Sequence, residues 1–509
     1  MKPFRSAKIR IFVICWLVYT LHFSTNVVRE HYPAFSLIDQ GNFQVDEYLG
    51  FHSDIFRHTD GHAYIGNNVA GSLPAVPGLL IFDPVLDRLE DYRLKHPSGG
   101  GSSVYYDTEY PNRAGFLRKV KERGLDLRFG AATFITTFTC QAPLAALLVV
   151  LIYGLLLKRG LRGIRAVSLA FLFAFGTPVF YRAAHLNHNL FFALVLFGSF
   201  LLLWKEDGVP VTRWRRFFAG LLAGAGLALD YAGALTLLVL YGYLVLARRK
   251  DVGLLRAIGE SLIFVLGSIP PVAFLLWTQW WMYGNPFLPG QFHMPDVNYT
   301  EMGVRGMTLP DPSVFYENLM SPDWGLIPFA PMFVLLLVPA LYRKGKMILP
   351  RREGVFVAVF TLAFLLFCAA NQYSLMQFNS GFRYLLPVVP FLFLALSDHF
   401  ARMPTWLLFL VGAPSVIHGW VLAMTRFTRP EMASPLHAVP ESWRRVLHEG
   451  LQLPWLNVLR GTTPDPDHIV HWAIWPFFLL LCTGLVCFWV WRRGPRVDSV
   501  ECTQPLADG

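Results

Sequence analysis

Long apolar blocks alternate along the chain with short basic segments and three longer polar ones. At the start, MKPFRSAKIR leads into IFVICWLVYTLHFSTNVV, a basic stretch and then an apolar core with no convincing small-residue cleavage site behind it, the pattern of a retained signal-anchor. A helix needs about 20 apolar residues to cross a bilayer. By that measure the blocks predict spans near 9–26, 131–157, 165–182, 189–204, 217–229, 232–247, 257–282, 326–342, 354–371, 384–398, 404–424 and 470–491. The stretch 217–247 is too long for one upright span of about 20 residues. VTRWRR (211–216) and ARRK (247–250) flank it, and two basic flanks on one side require two short passes, a partly submerged hairpin turning near Asp230.

Charge fixes the orientation. With the N-terminus inside, KRGLRGIR (158–165), YRKGKMILPRRE (342–353) and RRGPR (492–496) also fall inside, and all the short inner segments of this arrangement together hold 25 of the 44 Lys and Arg. The outer side then carries loops 27–130, 283–325 and 425–469 of a single domain spanning 1–509. In the first of these, HPSGGGSSVYYD reads as a flexible tip. GSLPAVPGLLIF, too short to span, reads as a helix lying on the membrane. With 54% hydrophobic and 15% charged residues, against about 25% charged in soluble domains, the chain is a polytopic all-α membrane protein. The net charge of +10 is accounted for by topology, and no nucleic-acid-binding motif accompanies it. Cys15, Cys140, Cys368, Cys482, Cys487 and Cys502 show neither zinc-site nor disulfide-framework spacing.

Chemistry concentrates where these spans meet the outer loops. REHYPAFSLIDQGNFQVDEY places Glu30, Asp39, Asp46 and Glu47 behind the first span, Glu30 about four residues past it. An acid there is ordinarily solvated or paired with its neighbour, here Arg29; a carboxylate held at the bilayer surface can instead serve as a base. Asp230 in GLALDYAGALTLL sits where an acid is costly unless it faces a partner or a cavity. His185 and His188 in YRAAHLNHN would share a face if helical, yet two histidines without a carboxylate make an incomplete metal site, and no metal is expected. Arg383 in SGFRYLLP is either an interfacial arginine or a planar cation suited to phosphate.

Taken together, several stretches resemble integral-membrane glycosyltransferases of the GT-C fold class, such as protein O-mannosyltransferases and the aminoarabinose transferases of lipid A. They are the acidic segment behind the first span, DGHAYIGNNVAGSLPAVPGLLIF (60–82), YGNPFLPGQFH (283–293), SPDWGLIPFAPMFVLLL (321–337) and FNSGFRYLLPVVPFLFL (378–394). Two departures stand out: Arg29-Glu30 replaces the family's Asp-Glu pair, and NNVAG replaces its Lys-Pro-Pro. The resemblance implies a GT-C-like bundle of about twelve helices that transfers a sugar, with inversion, from a polyprenyl-phosphate carrier to an acceptor hydroxyl. It implies Glu30 as base with Asp46 and Asp39 as alternatives, and Arg383 and Tyr384 at the donor phosphate. His62, Tyr64, Asp230, His185, His188, Gln291 and His293 are the expected substrate contacts. No cofactor is required. The expected partners are membrane lipid, the polyprenyl-phosphate sugar and a protein, lipid or glycan acceptor, at a bacterial inner membrane with the site facing the periplasm. A secondary transporter is the competing reading, disfavoured because ionisable groups gather at the boundary and no repeat is visible. A non-catalytic scaffold or an oligosaccharide ligase are further alternatives.

Overall fold

The computed structural model describes residues 6–96, 111–161, 163–204, 211–296, 300–338, 349–379, 381–425, 438–456 and 469–494. The tip expected from Pro97 onward, Cys502, and much of 342–353 and 425–469 lie outside them. Helix α1 (Ala7–Leu21) is followed by extended chain and then by α2 (His31–Asp39). The segment behind α2 holds a small hairpin that an all-α reading misses: β1 (Ile55–Arg57) pairs antiparallel with β2 (Ala63–Ile65), Phe56 opposite Tyr64. Two 3-10 turns, Val69–Gly71 and Leu73–Ala75, lead into α3 (Val76–Lys95). This helix runs well beyond the apolar stretch that announces it, ending in a charged segment with Arg93 and Lys95 in its last turn. After α4 (Pro111–Glu122), α5 (Asp126–Thr136) passes through a π-turn at Thr137–Gln141 into α6 (Ala142–Lys158).

The next predicted span, 165–182, is broken. Helix α7 (Gly163–Gly176) stops and α8 (Pro178–Ala183) starts anew, because Pro178 has no amide hydrogen to continue the ladder and the Thr177 hydroxyl caps the new start by accepting from Val179 N. Then come α9 (His188–Leu203), α10 (Arg213–Leu229), α11 (Gly233–Val252) and α12 (Leu254–Tyr283). The chain does turn at Asp230, but neither pass is short. The helices extend into their basic flanks, with Arg213, Arg215 and Arg216 inside α10 and Arg248, Arg249 and Lys250 inside α11. At 1.5 Å per residue each is roughly 25–30 Å long.

Beyond α12 lie α13 (Pro312–Met320), α14 (Leu326–Phe329), α15 (Arg351–Ala370), α16 (Val389–Arg402), α17 (Thr405–Thr425), α18 (Ala438–Glu449) and α19 (Ile469–Arg492). The span expected at 326–342 is not a continuous helix. Its described part is the single turn α14 and a 3-10 stretch, Pro331–Leu337, since Pro328 and Pro331 interrupt the hydrogen-bond ladder. Six helical stretches among the described residues are long and apolar enough to cross a membrane: Val69–Lys95, Asp126–Lys158, α12, α15, α17 and Ile474–Arg492; α7 and α9 are shorter apolar helices. The chain is thus an integral, multi-pass membrane protein.

Two packing devices place the functional end. Stacked aromatic rings join α9, α11, α15 and α16, with Phe200 and Phe356 centroids 4.8 Å apart and Phe360 and Phe391 5.0 Å apart. Helices α10 and α12 instead touch backbone to backbone. A Cβ on Gly224 would lie 2.7 Å from the Ser268 carbonyl oxygen, and one on Gly220 would collide with that of Phe264. This close crossing sets the height and direction of α10, and so of Asp230 at its end.

Candidate functional site

Glu30 precedes the first turn of α2, nine residues beyond α1 rather than four, because α1 ends at Leu21. The extended chain between them is tied to the turn before α9, where Ser24 N donates to Ala184 O at 2.8 Å. That turn is held in its own right. The π-turn aims Gln141 at it, so that Gln141 Nε2 donates to Arg182 O (3.1 Å) and Gln141 Oε1 accepts from Asn187 N (3.3 Å). Asn187 then caps α9, its Oδ1 accepting from Leu190 N and its Nδ2 donating to the Arg182 and His185 carbonyls. His188 opens α9 and His185 stays in the non-helical turn, so the two do not share a helix face.

These anchors bring together groups far apart in sequence. His188 Nδ1 lies 2.6 Å from Glu30 Oε1, and its other ring nitrogen, Nε2, lies 3.3 Å from Asp230 Oδ2. Arg29 extends over the imidazole, with Nη2 at 3.4 and 3.5 Å from the two ring nitrogens. Its Nε is 3.6 Å from Glu30 Oε1, and its Nη1 donates to Asp54 Oδ2 at 3.1 Å. Asn67 Nδ2 donates to that same Asp54 oxygen at 2.7 Å. Asp230 accepts from Ala232 N at its own turn (2.9 Å). The floor is Gly71, where a Cβ would sit 2.8 Å from His188 Cβ and 3.4 Å from Glu30 Cγ. Both Glu30 and His188 are buried, with under a tenth of each side chain exposed.

Electrostatics favours the ionised carboxylates. Burial works against the Glu30 charge, but the His188 hydrogen bond and the Arg29 charge overcome it and hold the carboxyl well below the ordinary range. Asp54 is brought down to about 2: burial opposes, while His52 and Arg29 prevail. For Asp230, burial is likewise outweighed by His188 and the Ala232 amide, and the net shift is downward.

Arg383 and Tyr384 approach from another element. Gln377 Oε1 accepts from both of their backbone amides (3.1 and 2.9 Å), and the Gly381 turn, at φ +69°, leaves no room for a Cβ beside Tyr181. The Arg383 guanidinium lies 4.8 Å over the Tyr384 ring, and its Nε is buried without a hydrogen-bond partner. Both residues lie within electrostatic reach of the cluster, for His52 is pushed down by burial and, among its charged neighbours, by Arg29 and Arg383, while the Tyr384 phenol acts on Arg29.

The other expected residues have other attachments. Asp46 is half-exposed and locks the β-hairpin, accepting from Ala63 N (2.5 Å) and pairing with His62 Nδ1 (2.9 Å). Asp39 pairs with Arg128 at 3.6 Å, a cation it shares with Asp83, Asp87 and Glu90. Tyr64 donates to Asp60 (2.9 Å), and His293 stacks on Tyr283 at 4.8 Å, just beyond the 3-10 turn that carries Gln291. Sequence reasoning missed Asp54, Asn67, Gly71 and Gln377. Only the chain following a hairpin or turn brings them in, so no local pattern marks them.

No family model and no curated protein matches the chain. Among solved structures it is similar to ArnT from Cupriavidus metallidurans, crystallised bound to undecaprenyl phosphate. The match has a TM-score of 0.50 and 15% identity, and covers 95% of this chain and 73% of that one. At that identity the likeness is one of fold, and the architecture is GT-C-like.

Proposed function

We propose that this protein is a membrane glycosyltransferase that moves a sugar from a polyprenyl-phosphate-linked donor to an acceptor hydroxyl on the extracytoplasmic side. The carrying observation is a buried, ionised carboxylate, Glu30, and a guanidinium, Arg383, that act on the same His52 ring, the guanidinium having a buried and unpartnered Nε. A carboxylate base and a guanidinium with a buried, unsatisfied N–H are what transfer from a phosphate-linked sugar needs. The GT-C-like fold, and the undecaprenyl phosphate bound to its ArnT neighbour, support a polyprenyl phosphate as the carrier.

In the reaction, Glu30 accepts the proton of the acceptor hydroxyl as that oxygen attacks the anomeric carbon. The bond from that carbon to the phosphate oxygen breaks, and its electron pair leaves with the polyprenyl phosphate beside Arg383 and Tyr384. Attack from the face opposite the phosphate inverts the anomeric centre. His188 and Arg29 orient Glu30, and Asp54 with Asn67 orients Arg29. A site on the extracytoplasmic side, the periplasm in a bacterial inner membrane, fits the distribution of basic loops.

The test uses purified protein in lipid nanodiscs with a panel of sugar-loaded polyprenyl phosphates and acceptors, following release of polyprenyl phosphate. Turnover by the wild type, abolished in Glu30→Gln and retained in Asp46→Asn, is the expected result. Loss only in Asp46→Asn would move the base to the hairpin. Silence with the full acceptor panel, beside an active control transferase, would reject the transferase reading in favour of transport or scaffolding.

A further inference from the structure

The trio Glu30–His188–Asp230 has a hydrogen-bonding problem that the proposed chemistry leaves unsolved. Both ring nitrogens of His188 face carboxylate oxygens, at 2.6 and 3.3 Å. A neutral imidazole carries one N–H, so with both acids ionised one contact sets a nitrogen lone pair against an oxygen lone pair. One additional proton in the trio removes that clash. Arg29 Nη2, near both nitrogens, cannot be the in-plane donor to each of them.

Charge counting gives the proton a second role. The groups facing the trio are Arg29 and Glu30 before α2 with His31 at its start, Asp54 at the hairpin with His52 beside it, Asp230 between α10 and α11 with Tyr231 next to it and Cys368 of α15 near it, and Arg383 with Tyr384. Two guanidiniums oppose three carboxylates, so the cluster without the extra proton is net negative, a poor host for an anionic phosphodiester. We infer that the Glu30–His188–Asp230 trio takes up or retains one proton as the donor binds, so that admission of the lipid phosphate is coupled to pH. Asp230 is then a positioning residue that acts through His188 on Glu30 and on the charge the donor meets. This inference rests on the transferase reading and specifies how its donor site is regulated.

The coupling is tested by binding. The probe is undecaprenyl methyl phosphate, a phosphodiester whose single negative charge stays fixed between pH 5.5 and 9, measured against nanodisc-embedded protein by titration calorimetry in buffers of different ionisation enthalpy. For the wild type, affinity should fall as pH rises, by up to about tenfold per unit where one proton is linked, with matching proton uptake. Asp230→Asn removes one negative charge, so its affinity should be nearly independent of pH and should exceed that of the wild type at pH 9. A merely structural role for Asp230 would instead weaken binding at every pH. His188→Asn, lacking the imidazole that bridges the two carboxylates, should also lose the slope. Wild-type binding with no slope and no proton uptake, or variants that keep the wild-type slope, would overturn the coupling while leaving the transferase reading intact. No binding of the probe at any pH would overturn both.

Discussion

At the proposed base, Glu30, the environment makes specific demands on a single side chain. Glu30→Gln keeps size and most contacts, so it should lower kcat by about 10²–10⁴-fold while changing donor binding far less; single-turnover kinetics separate the two. Because its folded-state pKa lies below the ordinary value near 4.3, Glu30 contributes stability that is fully present above that ordinary value and is lost as pH falls through the depressed one. The melting-temperature gap between wild type and Glu30→Gln should therefore be constant from pH 7 down to about 5 and close only at more acid pH. Arg383→Lys keeps the charge but loses the planar fork, and should raise the donor KM by about tenfold or more with a smaller change in kcat. Of these groups, Glu30, Asp230 and Arg383 were legible because a charge at the edge of an apolar block is conspicuous. Asp54 and Asn67 are ordinary loop residues until a hairpin folds them against Arg29.

At the scale of elements, glycine contacts decide where the site groups stand. Gly71→Ala would drive a methyl against His188 and Glu30, so activity should fall by an order of magnitude or more and stability by about 1–3 kcal/mol. Gly220→Ala sits far from the chemistry, yet its Cβ would collide with the backbone of α12. It should destabilise the protein by about 1–3 kcal/mol, whereas Gly242→Ala, with open space around it, should be neutral. Thermal denaturation together with turnover of the three variants in one lipid distinguishes these cases, Gly220→Ala losing stability with a smaller loss of activity than Gly71→Ala. The segment behind α2 carries a separate pH signature. Burial and the neighbouring carboxylates, against the pull of Arg128, raise Asp39 to about 6, so its ionised form is a burden above that pH. Asp39→Asn should thus raise the melting temperature at pH 8 and have little effect at pH 4.5. Most helices were readable from apolar block length, the segment from Leu326 being the exception, but helix ends were not. Thr177-Pro178 and Pro328 break predicted spans through lost backbone donors, while α10 and α11 continue into arginine-rich flanks because those side chains have places to go, such as Arg216 on Glu260 O and Arg248 on Glu260.

For the whole molecule, the basic loops predict an orientation that labelling checks. In a cysteine-free background, Asp60→Cys should react with a membrane-impermeant thiol reagent from the extracytoplasmic face and Arg256→Cys from the cytoplasmic face; the reverse pattern would invert the topology and remove the periplasmic assignment of the site. What the sequence by itself determined is the solvent and the class of architecture. Apolar blocks of bilayer length exclude a soluble protein, and basic flanks require the Asp230 hairpin, because desolvating a helix or a charge is a local cost paid wherever the chain is. Tertiary structure alone decided which charges meet. Glu30 and His188 stand 158 residues apart, and they touch only because Ser24 pairs with Ala184, Gln141 grips the turn before α9, and the Gly220–Gly224 crossing carries Asp230 to the other side of the ring. The contacts that set these distances are long-range backbone and packing contacts. Their energies depend on which surfaces are brought together, and that information belongs to no short stretch of the chain.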